Sequence, residues 1–234
     1  MPGVRTRNPS SSSSSDETER EDHLQDSLAD GKLDSEEDFQ KMWAAHPHNY
    51  MDDSSQNTSS AELNKELGFK EDEFENTCAV RMSTMFNRLG GDFKISRQKA
   101  KEAGLDKLRE KGLYMPRADD PKTPEDADYL ILSAREMWTY MQHHEGNPSK
   151  TFPGRGRNVK REDGEKSAQE AKTYASGKKG FVAFDKLRLK VKQGDKWVWQ
   201  GYRGTGHVDL FDGTKLSDGS WYAAQRIMLW DVVG

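Results

Sequence analysis

One sulfhydryl occurs in the chain, Cys78, and its surroundings, Asn76-Thr77-Cys78-Ala79-Val80-Arg81-Met82-Ser83, read as the beginning of a helix. A cysteine attacks only as the thiolate, and the partial positive charge of a helix amino terminus is one standard way to favour that form. Such a nucleophile also needs a base, usually an imidazole. His23, His46, His48, His143 and His144 fall in an acidic stretch or at a helix end, whereas His207 follows Gly206 at the start of an alternating strand, Gly206 to Phe211. A lone cysteine is most often a small buried hydrophobe and a lone histidine a structural or solvated group, so the case for chemistry rests on the pair.

Strand geometry nominates a third group. Asp212-Gly213 is a favoured dipeptide for a two-residue type I′ turn, and a turn centred there sets 211 against 214, 209 against 216 and 207 against 218. Position 218 is an aspartate. In that register Asp218 faces His207 with Cβ atoms about 4.5 to 5.5 Å apart, and a slip of one residue would destroy the pairing. Asp209 ranks second because it neighbours the histidine along its own strand, and Asp212 is explained by the turn. The expected roles are those of an amide-hydrolysing set: Cys78 attacks, His207 carries the proton and later activates water, and Asp218 fixes the imidazole tautomer. The Cys78 backbone N–H, with Asn76 as a helper, is the expected oxyanion donor.

Neither a metal nor a cofactor is expected. There is no second cysteine and no His-x-x-x-His, and His143-His144, adjacent on a helix, point in different directions. Gly154-Arg155-Gly156-Arg157 is too short for a phosphate loop and lacks its Gly-Lys-Ser/Thr end.

The elements that must position these groups are legible in outline. Cys78, Met82, Phe86 and Leu89 recur at helical spacing, with Asn76 as the expected N-cap and Gly90-Gly91 as the stop. Thr123-Pro124-Glu125-Asp126 announces a second helix running to about Gln142 and burying Leu130, Ala134, Met137, Trp138 and Met141. Pro148 to Arg161 reads as a basic loop and Glu165 to Ser176 as a short helix. Gly180 to Phe184, Lys196 to Trp199, Gly206 to Phe211 and Ile227 to Val233 then read as strands separated by Gly/Asp turns. Helices first and an antiparallel sheet second predict an α+β fold with the nucleophile helix packed on the sheet.

Only 32% of the chain is hydrophobic and another 32% is charged, which is thin for a core spread over 234 residues. The charge is also divided. Residues 1 to 77 carry 7 Lys and Arg against 19 Asp and Glu, while residues 78 to 234 carry 29 against 21. Residues 1 to 60, with the serine run Ser10 to Ser15, therefore read as a disordered acidic arm, relieved by a short helix around Asp34 to Ala45, and residues 61 to 234 as the folded domain. One cysteine cannot form an intrachain disulfide, no stretch approaches the ~18 apolar residues of a membrane span, and the amino terminus lacks the apolar core of a secretory signal. A route other than general secretion is expected.

The blocks Asn76-Thr77-Cys78-Ala79-Val80-Arg81-Met82-Ser83 and Thr205-Gly206-His207-Val208-Asp209-Leu210-Phe211-Asp212-Gly213 resemble the two signature blocks of the type VI secretion amidase effectors, family 4. The resemblance covers roughly residues 61 to 234. It implies a papain-like fold related to the NlpC/P60 peptidases and cleavage of the amide bond between D-glutamate and meso-diaminopimelate in peptidoglycan stem peptides, as an antibacterial toxin acting on the bacterial cell wall. It also implies a Cys, His, Asp set, carried here by Cys78, His207 and Asp218, and an immunity protein that plugs the cleft. Two other readings use the same residues: a papain-like peptidase or transferase acting on protein amides, and a non-enzymatic basic module for cell wall or nucleic acid in which Cys78 is only packing, with nucleic acid the weaker choice of ligand.

Overall fold

The computed structural model describes residues 33–48, 58–105, 113–114, 129–153, 159–187, 189–200, 206–219 and 221–233. Its elements are α1 (Glu36–Ala45), α2 (Ser60–Glu66), α3 (Cys78–Leu89), a 3-10 turn (Gly91–Phe93), α4 (Arg97–Glu102), β1 (Leu113–Tyr114), β2 (Leu130–Ile131), α5 (Ala134–His144), β3 (Lys150–Pro153), α6 (Arg161–Ala175), β4 (Lys179–Asp185), β5 (Leu189–Gln193), β6 (Lys196–Gln200), β7 (Gly206–Phe211) and β8 (Arg226–Val233). The main sheet has the order β3-β8-β4-β7, with every neighbouring pair antiparallel. β1 with β2 and β5 with β6 form separate two-stranded pairs.

Alternation along the central strands buries both faces of this sheet. Phe181, Ala183, Val208, Leu210, Met228 and Trp230 join one apolar cluster with α1, α3 and α5. Val182, Phe184, Phe211, Ile227 and Leu229 face the other way, onto Ala168, Ala171 and Ala175 of α6. Close packing of β4 on β8 requires Gly180, where a Cβ would stand 1.9 Å from the Trp230 carbonyl oxygen. The mixed architecture, helices on an antiparallel sheet, is the α+β class that the order of elements predicts.

Several boundaries differ from expectation. The helix bearing the cysteine is capped at Thr77 rather than Asn76, so Cys78 is its first residue. The predicted long helix ending near Gln142 begins only at Ala134, because Ser133 Oγ accepts from Glu136 N at 3.2 Å and donates to Glu136 Oε2 at 2.8 Å, a complete local start signal. Leu130 and Ile131 are instead strand, held by Ser83 of α3, whose Oγ accepts from Ile131 N at 2.9 Å. Thr123 to Asp126 lie outside the described residues. The stretch 148–161 is not all loop: it contains β3, which pairs with β8, and α6 starts at Arg161. Gly154 to Arg157 lie outside the described residues, as do residues 1–32.

The short helix around Asp34 to Ala45 forms as α1 and is part of the core. Phe39 and Met42 are fully buried in the main cluster and Leu33 nearly so. Composition set this stretch apart as acidic, yet Glu36, Glu37 and Asp38 sit together in the first turn of α1, where the helix dipole favours them. Among the described residues, no helix is long and apolar enough to cross a membrane.

Candidate active site

α3 is buried from Ala79 through Phe86, so its first residue is brought to the rim of the core by a rigid rod and not by a loop. Cys78 is half-buried there. Thr77 would ordinarily cap the helix with its hydroxyl, but no such bond forms. Its Oγ1 accepts from Arg81 Nε at 3.0 Å and contacts Ser60 Oγ at 3.0 Å. The first-turn N–H groups, including that of Cys78, have no intrahelical acceptor and face the start of the helix with its positive dipole end.

β7 is the edge strand beside α3, and it carries His207. The preceding Gly206 permits the approach: a Cβ there would meet the Phe184 carbonyl oxygen at 2.7 Å and Trp138 Cζ3 at 3.0 Å. Val208 and Leu210 point into the core under α3, so His207 and Asp209 share the opposite face. The His207 side chain is 13% exposed.

The turn after β7 is not the expected two-residue one. Asp212 N donates to Lys215 O at 3.1 Å and Phe211 bridges Leu216, so four residues, 212 to 215, make the loop. Asp212 Oδ1 stabilises it by accepting from Thr214 N, Thr214 Oγ1 and Lys215 N at 2.7 to 2.8 Å. The register is thereby shifted by two residues, which sets 218 against 209 and not against 207. Because side chains alternate with a period of two, this slip keeps Asp218 on the histidine's face. A diagonal neighbour lies within reach of a long side chain, and Asp218 Oδ2 stands 3.0 Å from His207 Nε2.

Asp209 serves this arrangement from below. It is 2% exposed; its Oδ1 accepts from Ser217 Oγ and from Leu210 N at 2.8 Å, and its Oδ2 accepts from Asp218 N at 3.0 Å. It therefore ties the Ser217-Asp218 turn to β7, while its Oδ2 lies 3.7 Å from His207 Nε2. Both carboxylates thus stand beside Nε2 and favour the protonated ring. Burial alone would lower the His207 pKa, but the interactions with Asp209, Asp218 and Cys78 outweigh it and push the imidazole well above its ordinary range. Burial, reinforced by the Asp218 charge, raises the Asp209 carboxyl.

Tyr222 completes the group and has no signature in the sequence. Its Oη donates to Asp218 Oδ2 at 2.7 Å, and its ring packs edge-on against His207 with centroids 4.9 Å apart. Burial and the Asp218 charge push its hydroxyl above the ordinary tyrosine range, which keeps it a proton donor. Arg81 and His46 are also at the site; the spacing of Arg81, three residues after Cys78 on one helix face, was available in the sequence, whereas His46 comes from a distant segment.

Cys78, His207 and Asp218 line one cleft of about 230 Å³, together with Asn76, Arg81, Tyr222 and His46. The three expected site residues are thus brought together, and Asp209 lies beneath them. His207, Asp209 and Asp218 also offer ligand atoms within 4.8 Å of one another, the donor types of a divalent cation site. Asp209 accepts three protein hydrogen bonds and Asp218 Oδ2 accepts one from Tyr222. Thiol, imidazole and carboxylate in this order can carry nucleophilic acyl transfer.

Comparison with known proteins agrees in family. Among curated protein sequences none matches the chain. Among solved structures, the effector Tae4 from Salmonella typhimurium, in complex with the immunity Tai4 from Enterobacter cloacae, is 19% identical over 82% of this chain and 97% of that chain, with a TM-score of 0.48. The type VI effector Tae4 from Enterobacter cloacae is 16% identical over 82% of this chain and 94% of that chain, also at 0.48. A family model described as type VI secretion system amidase effector protein 4 matches residues 74–230, from just before the cysteine helix to the last strand. The chain belongs to that family of type VI secretion amidase effectors.

Proposed function

We propose that this protein is a cysteine amidase of peptidoglycan that hydrolyses the amide between D-glutamate and meso-diaminopimelate in stem peptides, with Cys78, His207 and Asp218 as its catalytic residues. The observation that carries the reading is the meeting of these three side chains at one open cleft, from a helix start, an edge strand and the turn that follows it. The finer substrate assignment rests on family membership. A papain-like, NlpC/P60-related fold is part of the same reading.

The chemistry follows from the placement. His207 in its protonated form stabilises the Cys78 thiolate, and because Nε2 faces the carboxylates, Nδ1 is the nitrogen that exchanges the proton. Sulfur attacks the glutamyl side-chain carbonyl carbon, and the oxyanion is received by first-turn N–H groups of α3. The C–N bond breaks as the imidazolium gives its proton to the diaminopimelate amine, which leaves. His207 then takes a proton from water, whose oxygen attacks the thioester, releasing the glutamate carboxylate and restoring the sulfur. Asp218 holds the ring in register throughout and Tyr222 holds Asp218.

The protein would be delivered by a type VI route to the cell wall of a target bacterium, and a protein inhibitor seated in the cleft would protect the producer. In this reading the amidase unit includes α1. The test is mass analysis of sacculi digested with wild type, Cys78→Ala and His207→Ala. New diaminopimelate amino termini with wild type only are expected. Equal release by the Cys78→Ala protein would overturn the assignment, and cleavage of casein but not of muropeptides would favour a protein amidase instead. Fast alkylation of Cys78 by iodoacetamide near neutral pH is the expected companion result.

A further inference from the structure

His46 plays no part in the chemistry above, yet it lines the same cleft. It is 4% exposed, and neither Nδ1 nor Nε2 has a protein partner among the described residues. A buried imidazole with two unmet polar atoms is costly unless something else meets them. Arg81 shows the same feature. It is 5% exposed, and its Nε and Nη1 are occupied, by Thr77 Oγ1 at 3.0 Å and by the carbonyl oxygens of Pro47 and His48 at 2.6 and 3.2 Å, whereas Nη2 is buried without a partner among the described residues.

The two residues are mechanically linked. By binding the carbonyls of the two residues after His46, Arg81 holds that segment against the start of α3, and both residues line the cleft. Burial, with the neighbouring His48 and Arg81 charges, drives the His46 pKa well below its ordinary value, so it is a neutral ring with one N–H to give. A neutral donor beside a fixed cation matches a carboxylate better than an amide, because one oxygen can take the imidazole N–H and the other the guanidinium. The cleft's own buried carboxylates do not satisfy them: Asp209 is committed to Ser217 and to backbone, and Asp218 to His207 and Tyr222.

We propose that His46 and Nη2 of Arg81 form a carboxylate subsite beside Cys78, which recognises the free α-carboxylate of the glutamyl residue whose side-chain carbonyl is attacked. This deepens the amidase reading and rests on it for the identity of the substrate. In a γ-linked glutamyl residue the α-carboxylate is the nearest charge on the acyl side of the scissile bond, so gripping it aligns the carbonyl with the sulfur. Conversion of that carboxylate to a carboxamide removes the charge and places an N–H against donors, so the subsite also discriminates between amidated and free stem peptides.

The test uses L-alanyl-γ-D-glutamyl-meso-diaminopimelate and its α-carboxamide analogue, titrated calorimetrically into the full chain carrying Cys78→Ala. The expected result is at least tenfold tighter binding of the acid. Adding His46→Leu should abolish that preference, weakening the acid tenfold or more and the amide less than twofold, while His46→Gln, which keeps a donor, should retain most of it. Equal affinity for acid and amide, or equal weakening of both by His46→Leu, would overturn the subsite. Should His46→Leu not fold, the acid-to-amide ratio of kcat/KM in wild type decides instead, with a ratio near one overturning the proposal. Failure of the amidase reading is distinct: wild type would then leave the tripeptide uncleaved even if Cys78→Ala binds the acid selectively. If neither peptide binds, the subsite falls whatever the sacculus assay shows.

Discussion

The two helices packed against β7 begin in opposite ways. α5 starts with Ser133, whose hydroxyl and whose partner Glu136 close the first turn on itself. α3 starts with Thr77, a residue equally able to cap, whose hydroxyl is turned away to Arg81 and Ser60, with no acid in the first turn. At α5 the dipole and the orphan N–H groups are neutralised locally, which contributes about 1 kcal/mol to stability. At α3 no side-chain cap or first-turn acid neutralises them, and the proposed nucleophile stands there instead. The contrast separates a helix start that closes on itself from one left open at the proposed site, in two elements that pack on the same strand.

Removing the proposed nucleophile should break the comparison most sharply. Cys78→Ala is expected to reduce amide hydrolysis more than a thousandfold while thermal melting changes by only a few degrees, since the side chain is small and half-buried. Asp218→Asn should come next, lowering kcat about a hundredfold. It also removes one of the interactions that raise His207, so the alkaline limb of kcat/KM should move to lower pH. The sign follows from His207 titrating above its ordinary range: the protonated ring, and the stability it contributes, are present below about 6.5 and lost as pH rises through the higher folded-state value. An unchanged pH profile in Asp218→Asn would sink that coupling.

Exchanging the character of the two starts sharpens the contrast. Thr77→Asp places a carboxylate at the first-turn N–H groups of α3 and is expected to cut activity about tenfold without lowering the melting temperature. Ser133→Ala should do the reverse, losing about 1 kcal/mol in denaturant melts with activity per folded molecule unchanged. The smallest effect is expected at the far end of α5. Glu145 is half-buried and burial raises its carboxyl to about 7, so the native state holds a proton that the unfolded chain releases near 4.5. Stability therefore declines as pH rises between those values, and Glu145→Gln should raise the melting temperature above pH 7 and leave it unchanged near pH 4.

Much of this was legible along the chain. The spacing of Cys78, Met82, Phe86 and Leu89, ended by Gly90, marks α3 to within two residues, and the alternation after Gly206 marks β7. The predicted start of a helix at Thr123 to Gln142 was overtaken by Ser133 and by the docking of Ile131 on Ser83, a contact between residues 48 apart that no local pattern contains. Acidic composition likewise set α1 apart, although Phe39 and Met42 belong to the main core.

The site divides along the same line. Period-two alternation alone places His207, Asp209 and Asp218 on one face for any even register, so Asp218 is legible in the sequence even though the turn is two residues longer than Asp212-Gly213 predicts. Which carboxylate touches the imidazole, and what surrounds it, depends on the folded chain. The four-residue Asp212 to Lys215 loop sets 218 against 209, Asp209 pins the turn, and Tyr222 and His46 arrive from segments with no motif. Sequence spacing carries the periodicity of an element; the loops and packing that bring one element's face against another's depend on contacts distant in the chain, and those settle only when the core closes.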